Sequence, residues 1–439
     1  MAEIDSANVY KDVLLAVFRV VGPMLVLWLT IRFGKGLWNR RKTMARYLAD
    51  LLALSLLQFA TMQLFLLYTS GEYRSSIRLG FLGLAGMQWL LYLCSTLAGR
   101  RKFAVEGIAC LLCTIGMSVV ATVCPWEAPK QMMAMVIGCF LYLLLGCLMN
   151  SVEPTATFRA FLGGAGLFLL LVTLLLGQVQ FGAKNWLVVG GLSIQPSEPV
   201  KILLVLVGAS GVEGRASRKE KWLFMLYSMS LCALLAAMND LGTAMVFYVA
   251  SLFFALLYFG WVAPLFGVLQ LAVAGRVAFS IAPHSLQRLL AWRHIWEDPL
   301  GSGYQQTRAI MCLSSGGLLG LGVGQGGMKR IFSGDSDVVF ATVCEQWGLL
   351  VGLACVGCIV MLVVFALGAR GDTFPGVAAC GAAGILLLQS MLNVLGTVDV
   401  LPLTGITFPF LSNGGSALVG AWGLLALIRG NENRGTEDG

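Results

Sequence analysis

The sequence predicts an all-α protein that crosses a membrane about thirteen times. Of its 439 residues, 58% are hydrophobic and only 12% are charged, and the mean hydropathy is +0.82. Soluble chains contain about 25% charged residues, so the composition excludes a soluble globular protein. The apolar residues also form runs long enough, or nearly so, to cross the roughly 30 Å hydrocarbon core of a bilayer.

Thirteen apolar segments follow one another along the chain. The segments that begin at Glu198 and Gly415 are short for a crossing, so the count is good to about one. The predicted segments are residues 13–33, 51–69, 79–98, 104–124, 131–149, 159–178, 198–212, 222–238, 243–260, 262–282, 338–368, 376–397 and 415–429.

Basic residues concentrate in short loops between these segments. GKGLWNRRKTMAR follows the first segment, GRRKF the third and EGRASRKEKW the seventh. Because Lys and Arg are enriched in cytoplasmic loops, we predict an external N-terminus and a cytoplasmic C-terminal tail. Topology then explains the net charge of +8 without nucleic acid as a partner. The polar connections at 179–197, 239–242, 283–337 and 398–414 fall on the outer face.

The twelve cysteines lie mostly inside apolar runs. Cys110 and Cys113 form one CxxC pair, and Cys355 and Cys358 form another. Neither pair has the histidines or the second cysteine pair that a zinc site needs, so we predict that these thiols pack within helices and bind no metal.

The stretch from Tyr304 to Leu350 is the candidate active region. It combines many glycines with Asp337 at the outer end of an apolar segment and Glu345 eight residues further on. In one helix these carboxylates would lie some 12 Å apart along the axis. Asp337 is placed to ionise and accept a proton from a hydroxyl group. A helix-capping or first-turn carboxylate is the structural alternative.

Residues 182–201, GAKNWLVVGGLSIQPSEPVK, form a second unusual polar stretch. Lys184 and Trp186 have the character of interface anchors. The QPSE sequence predicts a helix start with Ser197 as N-cap, and Glu198 and Lys201 as an i, i+3 pair. A structural role and a functional role are equally open for this stretch.

Three further features of the outer connections call for a reason. Asp240 lies between two apolar segments, where a carboxylate normally faces protein, water or substrate, so it is functional or caps a buried helix. Arg and Trp residues at 288–296 have the spacing of an interfacial helix, or of a lid over substrate. The 398–414 connection contains Pro402 and Pro409 and leads into SNGGS, a composition tolerated where backbone lines a cavity.

Taken together, five ordered motifs resemble the SEDS family of polytopic membrane proteins (shape, elongation, division and sporulation). The resemblance covers about residues 103–429. Its motifs are GAKNWLVVGGLSIQPSEPVK, AMNDLGTAMV, SSGGLLGLGVGQG, GDSDVVFATVCEQWGLL and NVLGTVDVLPLTGITFPFLSNGGS. The chain departs from the family pattern at Asn413, which replaces an aromatic residue, and at Gln346, which replaces a second glutamate.

The resemblance implies a peptidoglycan glycosyltransferase that polymerises lipid II on the outer face of the bacterial cytoplasmic membrane. Asp337 matches the family's proposed catalytic aspartate, and undecaprenyl diphosphate is the leaving group. A divalent cation that bridges Asp337 and the diphosphate would fit this chemistry, and Arg330 is a further candidate for binding the diphosphate. The expected substrate-binding residues are Trp186, Lys184, Gln195, Ser197, Glu198, Lys201, Asp240, Arg308, Lys329, Glu345, Ser412, Gly414, Gly415 and Ser416.

The resemblance also implies an organisation and partners. Residues 1–102 form three additional membrane helices, 103–430 the ten-helix family core, and 431–439 a cytoplasmic tail. Membrane lipids, lipid II and a class B penicillin-binding protein, a transpeptidase, are the expected partners. A lipid II transporter and an inactive scaffold of the division or elongation machinery are the alternatives. The sequence does not distinguish division, elongation and sporulation roles.

Overall fold

The computed structural model describes most of the chain and is largely helical. The described residues are 2–39, 43–69, 71–100, 102–151, 153–180, 182–190, 192–212, 217–281, 292–368 and 373–430.

The α-helices follow the order of the predicted apolar segments. They are α1 (Ala2–Trp38), α2 (Met44–Tyr68), α3 (Arg74–Leu97), α4 (Ala104–Val123), α5 (Ala128–Ser151), α6 (Ala156–Leu176), α7 (Ser197–Ser210), α8 (Arg218–Ala237), α9 (Leu241–Phe259), α10 (Ala263–Ile281), α11 (Tyr304–Gly316), α12 (Val339–Trp347), α13 (Leu349–Gly368), α14 (Phe374–Thr397) and α15 (Gly415–Gly430).

Ten helical stretches in the described part of the chain are long and apolar enough to cross a membrane. One of them, Leu241–Arg276, contains both α9 and most of α10. The shorter helices α7 and α15 coincide with the two segments predicted to be short. The all-α, multi-pass prediction is therefore confirmed.

The predicted segment 338–368 is wrong as a single helix. It is divided into α12 and α13 at Gly348, whose φ of +87° ends α12. An added Cβ at Gly348 would lie 2.1 Å from the carbonyl oxygen of Leu318, so this break depends on glycine.

The connection between α6 and α7 contains a small sheet that the hydropathy pattern did not predict. Its strands are β1 (Gln178–Gln180), β2 (Ala183–Val189) and β3 (Leu192–Ile194), in the antiparallel order β1-β2-β3. Trp186 in β2 pairs with Gln178 in β1. The sheet fixes the position of Trp186 within this connection.

The chain divides into two compact units. The first, the α4 unit, comprises residues 1–139, 293–361 and 390–415. Helix α4 lies at its centre, because every residue from Ala104 to Ala121 is buried. An added Cβ at Gly116 of α4 would lie 2.5 Å from the carbonyl oxygen of Leu411. The absence of a side chain thus lets the 406–413 segment lie directly against α4.

The second unit comprises residues 140–292, 362–389 and 416–439. In its core, the ring of Phe224 in α8 makes edge contacts with Phe254 and Tyr258 of α9, at centroid distances of 5.7 and 5.4 Å. Such aromatic pairs add to the stabilisation from burial of apolar surface. We call this the α9 unit and describe it separately.

Two local predictions differ from the structure. Ser197 is not an N-cap: Pro196 occupies that position, and Ser197 is the first residue of α7. In the predicted interfacial helix, Trp292, Arg293 and Trp296 lie in turns, and Arg293 has a φ of +65°. Arg288 lies outside the described residues.

Candidate active site

Asp337 lies in the turn that leads into α12. Its backbone N–H donates to the carbonyl oxygen of Ser333 at 3.1 Å, and the residue is half-buried. Val338 occupies the N-cap position of α12, and its side chain makes no capping hydrogen bond. Asp337 is therefore outside the helix, and the alternative of a helix-capping carboxylate is wrong.

The backbone of this turn is held by two polar side chains of the 390–415 segment. Asn393 Nδ2 donates to the carbonyl oxygens of Asp337 at 3.0 Å and Ile406 at 2.9 Å. The hydroxyl of Ser412 donates to the carbonyl oxygen of Ser336 at 2.8 Å. Hydrogen bonds therefore hold the backbone around Asp337 and fix the point from which its side chain extends.

Next to this turn, one amide bridges two carboxylates. Asn413 Nδ2 donates to Glu127 Oε2 at 2.6 Å and to Asp335 Oδ2 at 2.7 Å. The Asn413 backbone N–H also donates to the carbonyl oxygen of Asp335 at 2.8 Å. Burial, and then the charges of Asp335 and Glu127, raise the pKa of the Cys124 thiol to about 12. We call Glu127, Asp335 and Asn413 the acid bridge.

Glu345 holds the glycine-rich segment. Its two carboxylate oxygens accept from the backbone N–H groups of Gly327 at 2.8 Å and Met328 at 3.0 Å, and the residue is buried. Gly326 has a φ of +107°, and an added Cβ there would lie 2.2 Å from Glu345 Cδ. These glycines therefore allow close packing of the segment against α12. Glu345 and Asp337 do not share one helix.

Three cationic side chains lie in the same α4 unit. The Arg308 guanidinium lies 5.5 Å from the centroid of the Tyr304 ring, on α11. Lys329 and Arg330 are exposed in a short 3-10 turn, Met328–Arg330. The α4 unit thus contains the candidate base and three candidate cations for a diphosphate.

In the α9 unit, the candidate residues around β2 form a hydrogen-bonded cluster. Asp240 is buried and caps α9 by accepting from the backbone N–H of Thr243 at 3.0 Å. Its other oxygen accepts from Asn185 at 2.6 Å and from Gln195 at 3.4 Å. The expected helix-capping role of Asp240 is confirmed, and the cluster joins β2 to α9.

The remaining candidates of the α9 unit lie on α7 and at the start of α15. Lys201 Nζ and Glu198 Oε1 form a buried ion pair at 2.8 Å. The Ser416 hydroxyl accepts from the backbone N–H of Gln195 at 3.0 Å. Lys184 is half-buried, and its ammonium group donates to the carbonyl oxygen of Leu175 at 3.5 Å.

Gly414 directly follows Asn413 of the acid bridge, and Gly415 is the first residue of α15; both lie in the α4 unit. The sequence reasoning missed three residues that this structure places around Asp337: Glu127, Asp335 and Asn393. Asp335 is two residues from Asp337 in GDSD, and that proximity was an available signal. Nothing local in the sequence indicates Glu127 or Asn393, because their partners lie far away along the chain.

The chain by itself does not build a metal cage in the part that the structure describes. No group of three or more His, Cys, Asp or Glu side chains in those residues is arranged to hold a metal ion. Divalent cations such as Mg²⁺ bind carboxylate and phosphate oxygens. Asp337 would supply one carboxylate to a cation shared with the substrate diphosphate.

The fold and this arrangement of polar groups define a multi-pass, all-α membrane protein with a carboxylate in the turn before a short helix. A model of the FtsW/RodA/SpoVE family of cell cycle proteins matches residues 107–433. The chain belongs to this family, and the predicted SEDS resemblance is confirmed.

Three curated relatives are similar over most of their own length. Peptidoglycan glycosyltransferase RodA from Mycobacterium tuberculosis (strain ATCC 25618 / H37Rv) is 31% identical over 329 residues, covering 69% of each chain. Probable peptidoglycan glycosyltransferase FtsW from Tolumonas auensis is 30% identical and covers 75% of this chain and 92% of its own. The FtsW relative from Coxiella burnetii is 33% identical, covering 59% of this chain and 73% of its own.

Solved structures show the same fold. One chain, from a study of structural coordination of polymerization and crosslinking by a peptidoglycan synthase complex, has 25% identity and a TM-score of 0.60. It covers 76% of this chain and 98% of its own. The rod shape determining protein RodA of Thermus thermophilus has 23% identity and a TM-score of 0.55, covering 76% of this chain and 97% of its own.

Proposed function

We propose that this chain polymerises lipid II into glycan strands on the outer face of the bacterial cytoplasmic membrane, with Asp337 as the general base. Family membership and the names of its curated relatives make the chain a peptidoglycan glycosyltransferase. The observation that supports the finer proposal is the hydrogen-bonded turn that holds Asp337 just before α12, with Arg308, Lys329 and Arg330 in the same compact unit.

The reaction joins two lipid-linked sugars. The carboxylate of Asp337 takes the proton from the 4-hydroxyl of one lipid II molecule, and the hydroxyl oxygen forms a bond to the anomeric carbon of the growing chain. The bond from that carbon to undecaprenyl diphosphate breaks, and the diphosphate leaves with the electron pair. Cationic side chains stabilise the negative charge that develops on the diphosphate.

The remaining candidate residues have distinct proposed roles. In the α4 unit, Arg308 and Lys329 bind the diphosphate, and Ser412 positions the turn before Asp337. In the α9 unit, Trp186 packs on a sugar ring. The ion pair of Glu198 and Lys201 stays a predicted substrate-binding element, and its burial requires that both partners be kept together.

Purified full-length protein with fluorescent lipid II tests this proposal. Asp337→Asn removes the base at nearly constant volume, and we expect polymer formation to fall by 10²- to 10⁴-fold, the range typical of general base catalysis. Asp298→Asn is the matched control, because Asp298 is an exposed carboxylate that accepts from the backbone N–H groups of Gly301 and Ser302 in its own turn. The control should retain wild-type polymerisation.

Other outcomes would support the competing functions. Movement of lipid II between the leaflets of a vesicle without polymer would support a transporter. Binding to division or elongation proteins with neither activity would support a scaffold. Full polymerisation by Asp337→Asn would show that this carboxylate is not the base.

A crosslinking transpeptidase of the class B penicillin-binding type is the proposed protein partner. The solved peptidoglycan synthase complex that coordinates polymerization and crosslinking supports this proposal by similarity. Co-purification from membranes, followed by comparison of polymer yield with and without the transpeptidase, tests it. No binding in either detergent or membranes would contradict it.

A divalent cation shared by Asp337 and the substrate diphosphate is a further part of the proposal. When bound, the ion would add positive charge next to the leaving group. We expect a chelator to reduce polymerisation and added Mg²⁺ or Mn²⁺ to restore it. Unchanged polymerisation after chelation would remove the cation from the proposal.

A further inference from the structure

The first two of the three additional N-terminal helices contact the glycine-rich segment before α12. Helices α1, α2 and α3 precede residue 107, where the family match begins, so the family match does not assign them a role. Arg19 Nε of α1 donates to the carbonyl oxygen of Gly320 at 3.0 Å, although the two residues are 301 positions apart in the chain. The first helix is thus directly connected to the candidate active region.

Packing around this hydrogen bond is close. An added Cβ at Gly322 would lie 2.8 Å from Leu15 Cδ1, on the same helix as Arg19. At Gly324, an added Cβ would lie 3.3 Å from the ring of Phe65 in α2. The backbone of residues 320–324, which we call the glycine strand, therefore lies against side chains of α1 and α2.

The other side of the glycine strand is bound to α12. The backbone N–H groups of Leu321 and Gly322 donate to the carbonyl oxygens of Glu345 and Gln346, at 2.8 and 3.0 Å. The Phe18 ring of α1 also makes an edge contact with Trp347, the last residue of α12, at a centroid distance of 5.5 Å. Helix α1 therefore contacts both α12 and the glycine strand.

A basic side chain in this position needs an explanation. Arg19 lies within the candidate membrane span Val9–Trp38. Arginine is costly and rare inside membrane spans, where it normally pairs with another group or with backbone carbonyl oxygens. Arg19 follows this rule, because its guanidinium donates to the carbonyl oxygen of Gly320.

We infer that Arg19 is a positioning residue, which holds the glycine strand against α12 and thereby fixes the turn that presents Asp337. The connection is continuous: Met328, whose N–H is bound by Glu345, packs in one buried cluster with Val338 and Ala341. Val338 directly follows Asp337. The inference rests on the proposed function of Asp337, and it assigns the first additional helix a role in polymerisation.

Three variants of the full-length protein test the inference. Arg19→Leu removes the donor, Arg19→Lys keeps a cationic donor, and Lys35→Leu makes the same change elsewhere on α1, at an exposed position. Two quantities are measured: kcat and KM for fluorescent lipid II, and amide hydrogen exchange of residues 316–328.

For Arg19→Leu we expect kcat to fall roughly tenfold, since a hydrogen bond from a charged group typically contributes that much or more. KM should stay within about twofold, because no substrate contact is removed. Exchange of residues 316–328 should rise while that of α14 is unchanged. Arg19→Lys should recover most of kcat, and Lys35→Leu should match the wild type.

Each other result decides against the inference. Wild-type kcat in Arg19→Leu, or lower kcat without faster exchange in residues 316–328, overturns it and leaves the proposed function intact. An equal loss in Lys35→Leu shows a general effect of charge on α1 and also overturns it. Absence of polymer with the wild-type protein overturns the proposed function, and the role of Arg19 in it.

Discussion

The acid bridge makes a quantitative prediction for Asn413→Leu. The amide of Asn413 donates to Glu127 and Asp335, at 2.6 and 2.7 Å. Leucine has nearly the same size and no donor. The substitution therefore leaves two carboxylate oxygens without this partner, while the hydrogen bond from the backbone N–H of residue 413 to the carbonyl oxygen of Asp335 remains.

The magnitude follows from burial and charge. A hydrogen bond to a charged group contributes about 1.5–3 kcal/mol. Asp335 is only 8% exposed, so its lost bond has nearly the full effect. The Glu127 side chain is 32% exposed, and water replaces part of its lost bond. We expect Asn413→Leu to lower the free energy of unfolding by about 2–4 kcal/mol.

A double-mutant cycle separates charge from packing. The two acceptor oxygens are about 5 Å apart or less, because both contact one nitrogen. Two unit charges at about 5 Å repel by roughly 3 kcal/mol at an effective dielectric constant of 20. Glu127→Gln removes one charge and supplies a donor, so it should recover about half of the stability lost in Asn413→Leu.

The assay is reversible unfolding in detergent, followed by tryptophan fluorescence, for the wild type, both single variants and the double variant. Polymerisation of fluorescent lipid II is measured in parallel, and Asn413→Leu should reduce it because Asp335 is two residues from Asp337. A change below about 0.5 kcal/mol, within the range of ordinary surface substitutions, would refute the reasoning. Additive effects of the two substitutions would refute the charge argument.

Two further predictions concern the glycine-rich region and the turn at residues 298–303. Gly326→Ala should destabilise the protein by a few kcal/mol in thermal unfolding, because φ is +107° and the new Cβ would lie 2.2 Å from Glu345 Cδ. The control is Gly384→Ala, which places a Cβ in open space at a helical position and should be neutral or stabilising. Hydrogen bonds from the backbone N–H and the hydroxyl of Ser302 lower the pKa of Asp298 from its ordinary value. The turn should therefore be ordered above the unfolded-state pKa and lose this order as pH falls through the lower folded-state pKa. Hydrogen exchange of residues 298–303 against pH measures this loss, and Asp298→Asn should show no such pH dependence.

The sequence predicted the local part of the site well. Asp337 was placed at the mouth of a helix, and the turn before α12 agrees with that placement. Asp240 was expected to be functional or to cap a buried helix, and it caps α9. Ser197 was misplaced by one position because Pro196 takes the N-cap. These outcomes depend on neighbours within a few residues, which a sequence displays directly.

By itself, the sequence determined the class of the protein, the order of its helices and its family. Hydrophobicity is a local property, and each helix satisfies its own backbone hydrogen bonds, so apolar runs specify membrane helices without knowledge of their neighbours. The tertiary structure alone decided the partners of the candidate site. Asn413 meets Glu127 across 286 positions, and Arg19 meets Gly320 across 301. Such pairs arise from helix packing, which brings together side chains that no local pattern relates.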